Sequence, residues 1–304
     1  SGQCNDCFLP AFNHRPLNSA QAMLAMTEEK QDGTQSRARF GFIGSSDNHT
    51  ARPGTGYKEY DRREMTEATG VPAGTYNPAH LTRKESAPEA NLVDISLLNM
   101  IQRSEAERIT SFFYTGGLVA VQAQGRSRRH IWEAVKQRRV YATSGERMLL
   151  WFDLINDDGK AIASMGADVE QSETPAFRVS AVGAFEQLPG CPDNSLQALG
   201  EERLYKLCRN ECYNPSGKRK KIQRLEVVKI TPQVRKEEAL APLIHDPWLV
   251  HACDDSLESC SLEFSDPDYS TAGRDAVYYV RALQAASPAV NGANLRCERD
   301  ATGQ

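Results

Sequence analysis

The sequence predicts an α/β fold followed by an all-β fold, and three observations carry that prediction. The first is an apolar strand at 118–121, a helix at about 128–138 and a strand at 140–145. Strand, helix and strand within about 30 residues are typical of a parallel βαβ unit. The helix has apolar side chains at helical spacing, which we expect to form its buried stripe: Ile131, Trp132 and Val135.

The second observation is a change of pattern after Arg147. Four later segments alternate apolar and polar residues between turn-rich loops, one of which carries the tight-turn signal Asp157-Asp158-Gly159. These segments are 149–154, 177–182, 225–230 and 277–283. Antiparallel strands of this kind build β-sandwiches. We therefore expect one domain over residues 1–147 and a β-sandwich domain over 148–304, with a single short helix near 196–208.

The third observation is the segment 40–50, in which a strand-like apolar run over 40–44 stops at Asp47 and His49. Residues two apart in an extended backbone point to the same side, so both side chains can reach one cavity beyond the strand. A carboxylate beside an imidazole suits zinc, manganese or iron. Two ligands are half of a four-coordinate site, and a turn in which Asp47 caps backbone donors is the competing interpretation.

Two segments flank this motif. Residues 17–30 place apolar side chains at helical spacing behind Asn18 or Ser19, either of which can cap an amphipathic helix. Residues 51–89 are rich in Pro, Gly, Thr and charge and lack periodicity. We expect a long irregular loop there, which either covers the mouth of an active site or crosses the surface.

Composition excludes several classes of function. Charged residues make up 25% of the 304 residues and the net charge is -4, so no global field favours nucleic acid or an anionic membrane. The basic run 218–221 is expected to be a solvated turn before a strand. No apolar run approaches the roughly 20 residues that cross a bilayer. We predict no nucleic-acid partner and no membrane span, and no pattern indicates the oligomeric state.

Eight cysteines favour an exported protein. A zinc ribbon is the alternative, but Cys4 and Cys7 alone have the spacing of a zinc knuckle, and the others lie in polar, loop-like sequence. Disulfides indicate the periplasm or the exterior of the cell, whereas free thiols would indicate the cytoplasm. The disulfide candidates, whose pairing the sequence leaves open, are Cys4, Cys7, Cys191, Cys208, Cys212, Cys253 and Cys260, and Cys297 lies near the end.

Several ordered segments resemble the domain-of-unknown-function family 3604, whose members look like metal-dependent phosphoesterases of the polymerase-and-histidinol-phosphatase (PHP) type. The resemblance covers nearly the whole chain. It implies that residues 1–147 are the carboxyl-terminal part of a distorted β/α barrel, which holds up to three metal ions at the carboxyl ends of its strands. The segments that carry it are 41–49, 116–121, 131–135, 141–145, 241–248, 273–281 and 288–292.

By that resemblance, Asp47 and His49 are metal ligands. The family's earlier His-x-His motif has no counterpart here, because none of the other histidines forms that triplet. We therefore expect the chain to be the carboxyl-terminal segment of a longer protein and to hold only part of the metal site. In the full-length protein, clustered cations would lower the pKa of a bridging water and neutralise phosphoryl oxygens.

Four neighbouring residues are secondary candidates. Ser45, Ser46 and Thr50 can hydrogen-bond to ligands or substrate, although small hydroxyl residues at a strand end more often satisfy backbone groups. Arg52 can pair with a phosphate oxygen, or be solvated or salt-bridged as a lone loop arginine. No residue is assigned as the catalytic acid or base.

The sequence thus leads to the hypothesis of an exported metal-dependent hydrolase with a small-molecule substrate, expected to be a phosphoester. The alternative is a noncatalytic exported binding or structural protein whose barrel has lost its chemistry. A third interpretation is a zinc-ribbon protein that uses Cys208 and Cys212.

Overall fold

The computed structural model of the chain describes residues 19–30, 32–33, 35–45, 117–208 and 210–286. Its helices are α1 (Ala20–Ala25), α2 (Arg128–Lys136), α3 (Asp193–Leu199), α4 (Glu201–Cys208) and α5 (Tyr269–Ala272), with a 3-10 turn at Ala241–Leu243. Its strands are β1 (Thr27–Glu29), β2 (Gln35–Arg37), β3 (Leu118–Val121), β4 (Val140–Thr143), β5 (Leu149–Ile155), β6 (Ala161–Ser164), β7 (Ala176–Val182), β8 (Phe185–Gln187), β9 (Pro215–Arg219), β10 (Ile222–Ile230), β11 (Ile244–Ala252), β12 (Ser259–Ser265) and β13 (Val277–Gln284).

The strands form antiparallel sheets. A four-stranded sheet has the order β12-β7-β5-β6, and a three-stranded sheet has the order β11-β10-β13. Three two-stranded pairs complete the described strands, β1–β2, β3–β4 and β8–β9. The four antiparallel strands predicted beyond Arg147 are confirmed as β5, β7, β10 and β13, and Gly159, with a φ of 73°, lies in the predicted tight turn after β5. The described residues form no closed barrel.

The two larger sheets pack against each other through a shared apolar core. Ile222 and Leu225 of β10 lie in one buried cluster with side chains of β5, β7 and β12. The members of that cluster from the four-stranded sheet are Leu150, Val179, Ala181 and Cys260. This packing supports the sandwich expected for the all-β part.

Strand β10 is buried on both faces, which explains why its apolar residues run almost continuously. Its other face carries Val228 and Ile230, which pack with Leu24 and Ala25 of α1. Because successive side chains of a strand point to opposite faces, residues 225, 227 and 229 look toward the four-stranded sheet and residues 228 and 230 look toward α1. The described structure therefore has a third layer over the three-stranded sheet.

The predicted parallel βαβ unit is wrong, because β3 and β4 pair antiparallel, with Val121 opposite Val140. The helix between them is followed at once by Arg138, whose φ of 58° turns the chain back beside the end of β3. The chain between β3 and β4 does not cross over their sheet, so α2 is not packed against that sheet. Of its residues only Ala134 is buried. The side chains predicted as its buried stripe are exposed: Ile131 at 42%, Trp132 at 65% and Val135 at 40%.

Two other helix predictions need adjustment. Ser19 caps α1 as predicted, its Oγ accepting from the Ala22 amide at 3.1 Å, but α1 ends at Ala25 instead of near residue 30. The chain then enters β1, where the amide and the hydroxyl of Thr27 both bond to Gln233. The single helix expected near 196–208 is split into α3 and α4 at Gly200, which has a φ of 73°. No helix in the described ranges is long and apolar enough to cross a membrane.

Candidate functional site

The backbone of segment 40–45 lies in direct contact with β3 and β4, although it is not a strand. A Cβ placed on Gly44 would lie 2.8 Å from the Leu118 carbonyl oxygen and 3.1 Å from that of Thr143. A Cβ on Gly117 would lie 2.9 Å from the Ser45 amide nitrogen, and the Gly117 amide donates to the Ser45 carbonyl at 3.0 Å. Only glycine permits this approach.

The strand predicted at 40–44 is therefore wrong, and the cause lies in what its apolar side chains contact. Phe40 and Phe42 pack on the buried cluster of α1 and β10 instead of alternating across a sheet. The ring of Phe42 lies 5.5 Å from that of Tyr279 in β13. The apolar run reflects packing against the three-stranded sheet, and the glycines between the aromatic residues reflect contact with β3 and β4.

Segment 40–45 runs in the same direction as β4, so that their carboxyl ends meet. A Cβ on Gly41 would lie 2.9 Å from Val140, at the start of β4, whereas Gly44 lies beside Thr143, at its end. Ser45 is exposed at this junction. Asp47 follows two residues later and lies outside the described residues, as do His49, Ser46, Thr50 and Arg52. The ligand assignment and the roles of all four secondary candidates thus remain predictions.

The amino ends of segment 40–45 and of β4 are linked by ion pairs to one carboxylate, that of Asp168. Asp168 pairs with Arg39, just before the segment, at 3.3 Å, and with Arg138, just before β4, at 2.6 Å. Partial burial raises the pKa of the Asp168 carboxyl, but the hydrogen bond and charge of Arg138 and the charge of Arg39 lower it by more, so the net pKa is lowered.

The turn after β4 is tied to the basic run 218–221. Glu146 and Lys220 form an ion pair at 2.8 Å with side chains only 12% and 11% exposed, so the Glu146 carboxylate is occupied and is a poor candidate for a metal ligand. The other three basic residues also have partners. Lys218 pairs with Glu186, Arg219 lies over the Phe185 ring, and Lys221 donates to the Ser256 carbonyl. Lys218 and Arg219 end β9, and Lys220 and Lys221 form the predicted turn before β10. Lys218 is exposed as expected, whereas the other three residues are half-buried instead of solvated.

Two disulfides are present in the described residues, Cys191–Cys212 and Cys253–Cys260. This confirms the disulfide prediction for four of the candidates. Cys208 keeps its thiol, and its Sγ lies 3.2 Å from that of Cys212 and 3.9 Å from that of Cys191. Because Cys212 is bridged to Cys191, the pairing of Cys208 with Cys212 as a zinc ribbon does not hold in this oxidised state. Cys4, Cys7 and Cys297 lie outside the described residues.

A cavity of about 450 Å³ opens beside β2, next to the loop after β10. Its cationic lining residues are Lys30, Arg37 and Arg39, and its carboxylate is Asp275. Arg37 is paired with Asp275 at 2.8 Å, and Arg39 with Asp168, so two of the three cations are already neutralised. The cavity lies at the amino end of segment 40–45, beside Arg39.

Sequence reasoning missed a buried charge cluster between the two larger sheets. The Lys229 ammonium lies 2.5 Å from the carboxylate of Asp266, whose side chain is fully buried. The Tyr278 hydroxyl donates a short hydrogen bond to Asp266, and Lys229 also lies 5.2 Å from the Trp248 ring centroid. Burial has the largest effect on the pKa of the Tyr278 hydroxyl and the hydrogen bond to Asp266 the next largest, and together they raise it far above its usual value. The sequence did contain one indication of this cluster. Lys229 is two and four residues from Val227 and Leu225, so on a strand it points to the same inward face as they do.

A family model described as "Protein of unknown function (DUF3604)" matches residues 21–183, more than half of the chain. The chain belongs to the DUF3604 family. The match includes segment 40–45, its junction with β4, and strands β5 and β7, and it ends before the cysteines at 191–212. The resemblance was expected over nearly the whole chain, but the segments at 241–248, 273–281 and 288–292 fall outside the match. No curated protein and no solved structure matches the chain.

Proposed function

We propose that this DUF3604 protein is a metal-dependent hydrolase of the PHP type that acts on a small-molecule phosphoester. Asp47 and His49 are its proposed metal ligands. The observation that carries the proposal is the junction at which the carboxyl ends of segment 40–45 and β4 meet, because Asp47 lies only two residues beyond it. Sites in β/α folds are commonly built from the loops at the carboxyl ends of strands.

The donor set fits the proposed cofactor. A carboxylate and an imidazole suit zinc, manganese or iron, and a bound cation of this kind supplies a water of lowered pKa and neutralises phosphoryl oxygens. Asp47 and His49 would hold the cation, and the small hydroxyls of Ser45, Ser46 and Thr50 would orient ligands or substrate. Arg52 would offer two parallel N–H donors to a phosphate.

The two disulfides also support an oxidising compartment, since such bonds are rare in the cytosol. We propose that the protein works in the periplasm or outside the cell. A substrate for such an enzyme would be a phosphoester that is met after export.

The test measures hydrolysis by the whole gene product that contains these residues. After reconstitution with zinc, manganese or ferrous iron in separate samples, we expect release of nitrophenol from a nitrophenyl phosphate monoester or diester in at least one sample. Asp47→Asn should lower kcat by at least about 100-fold, because it removes a metal ligand. Asp158→Asn, in the exposed turn between β5 and β6, is the matched control and should keep parental activity.

Circular dichroism of each variant separates loss of chemistry from loss of fold. Parental turnover in a folded Asp47→Asn variant would refute the ligand assignment. Absence of turnover in every metal-loaded sample would instead favour the noncatalytic alternative.

A noncatalytic binding protein is the second candidate, and the exposure of α2 favours it. Ile131, Trp132 and Val135 occupy one side of this helix and are exposed, which is costly for a surface that binds nothing. In that case Trp132→Ser should leave stability unchanged and abolish binding to a protein partner. The hydrolase proposal predicts parental turnover for the same variant.

A further inference from the structure

We propose that Cys191, Cys208 and Cys212 form a redox-gated site for a zinc-type cation, which shares no residue with the metal site proposed from Asp47 and His49. The three Sγ atoms lie within 4.8 Å of one another and are half-buried. In the oxidised state described here, the Cys191–Cys212 bond closes the site. Reduction would convert the cluster into three thiolates, a ligand set that selects zinc and other thiophilic metals.

The sulfur spacing fits a tetrahedral centre. Three sulfurs at 2.3 Å from one zinc ion are about 3.8 Å apart. The distances from the Cys208 sulfur, 3.2 Å to Cys212 and 3.9 Å to Cys191, bracket that value. When their bond is broken, the Cys191 and Cys212 sulfurs must separate by about 2 Å, and those of Cys208 and Cys212 by about 0.6 Å, to reach that spacing.

The cluster is held together by contacts that do not depend on the disulfide. The Gly190 amide donates to Glu211 Oε2 at 3.0 Å, which joins the chain before Cys191 to the chain before Cys212. The Leu188 amide donates to the Asn214 carbonyl at 2.7 Å, where the β8–β9 pair ends. Cys208 is fixed by α4, whose Leu204 is 2% exposed. Reduction therefore leaves the three thiols close together, which lowers the entropic cost of binding one ion.

A second observation points to a ligand in the same loop. Asn210, midway between Cys208 and Cys212, has a buried Oδ1 that no hydrogen-bond donor reaches within the described ranges. A buried acceptor without a donor is costly. An amide oxygen can contact a cation or accept a hydrogen bond from water bound to it, and Asn210 carries such an unmatched oxygen in the loop between two of the three cysteines.

The chemistry balances with a dithiol as the reductant. Two electrons and two protons from the dithiol cleave the Cys191–Cys212 bond and leave two thiols, while the dithiol becomes a disulfide. Cation binding then releases the thiol protons to solvent, and the hydrogen bond from the Cys208 thiol to the Leu204 carbonyl is exchanged for a metal–sulfur bond.

The test uses the full chain with Cys4, Cys7 and Cys297 changed to Ser, so that five cysteines remain. The protein is reduced with a dithiol, freed of it by gel filtration without oxygen, and titrated with Zn²⁺ or Cd²⁺. We expect one equivalent of zinc, and cadmium–sulfur ultraviolet bands, in the reduced protein but not in the oxidised protein. Cys208→Ser should weaken zinc binding by at least about 100-fold, whereas the matched double variant Cys253→Ser/Cys260→Ser should bind zinc as before.

Alkylation provides a test that needs no further variant. Zinc should protect Cys191, Cys208 and Cys212 of the reduced protein from iodoacetamide and leave the alkylation rates of Cys253 and Cys260 unchanged, as measured by mass spectrometry of peptides. Equal protection of all five cysteines, no zinc in the reduced protein, or unchanged affinity in a folded Cys208→Ser variant would each overturn the proposal.

Discussion

Segment 40–45 and strand β10 both make close contacts with neighbouring sheets, but the contacts are of opposite kinds. The segment approaches β3 and β4 with its backbone, at Gly44 and Gly117, where no side chain fits. Strand β10 packs side chains on both faces and includes a buried charge, Lys229. Segment 40–45 therefore meets β3 and β4 through glycines that leave no room for a side chain, whereas the sheets of the sandwich meet through side chains that alternate along each strand.

The largest effect is expected from the buried pair on β10. Asp266→Ala would leave the Lys229 ammonium buried without its partner, and we expect a loss of about 3–5 kcal/mol in the free energy of unfolding. Urea unfolding under non-reducing conditions measures it. The double variant Lys229→Met/Asp266→Leu should recover most of that loss, because it removes both charges and keeps apolar volume. A loss below about 1 kcal/mol in Asp266→Ala would mean that the side-chain cluster does not hold the sheets.

The glycine contact should give the next largest effect. Gly44→Ala pushes a methyl group against the Leu118 carbonyl and should cost about 1–3 kcal/mol, in the range of overpacked sites. Gly217→Ala is the matched control, because nothing lies within 4 Å of its added Cβ and its φ is not positive. Its unfolding free energy should stay within about 0.5 kcal/mol of the parent. Equal unfolding free energies for the two variants would contradict the claim that segment 40–45 needs glycine at its contact with β3.

The charge contact at the start of the segment should have a smaller, pH-dependent effect. Because the pKa of Asp168 is lowered, its ion pairs stabilise the protein above the ordinary carboxyl pKa of about 4, and this stabilisation is lost as the pH falls through the lowered value. Asp168 is half-exposed, so Asp168→Asn should cost less than about 1 kcal/mol at pH 7. The gap to the parent should narrow below about pH 4. A gap that widens on acidification would contradict this account of the pKa.

The smallest effect is expected on α2, where sequence and structure disagree most openly. If Trp132 lay in a core, Trp132→Ala would cost about 3–5 kcal/mol. Because its side chain is 65% exposed, we expect a change within about 0.5 kcal/mol. Thermal unfolding followed by circular dichroism distinguishes the two values.

The sequence predicted those parts of the fold that depend on local period. Strands β5, β7, β10 and β13 follow from alternation, and Ser19 from capping chemistry. The direction of the β3–β4 pair did not follow, because the left-handed turn at Arg138 leaves no mark on an apolar pattern. The strand predicted at 40–44 failed because Phe40 and Phe42 found partners on β10 and β13, far along the chain.

The candidate sites show the same division. Disulfides were predictable from the number and setting of the cysteines, but the contact of Cys208 with Cys212 and Cys191 needed the fold of α4. Strand alternation predicted only that Lys229 points inward. Its partner Asp266 lies in a loop 37 residues later in the chain, and no local sequence pattern indicates that contact.

The most direct test of the account is the metal content of the gene product that contains this chain, measured by elemental analysis after purification without chelators. The proposal predicts zinc, manganese or iron in stoichiometric amount, lost in Asp47→Asn and in His49→Ala and retained in Asp158→Asn. Loss of metal should leave circular dichroism and the unfolding of the sandwich unchanged. A product without metal after incubation with each of the three cations, or with equal metal in all variants, would contradict the assignment of Asp47 and His49.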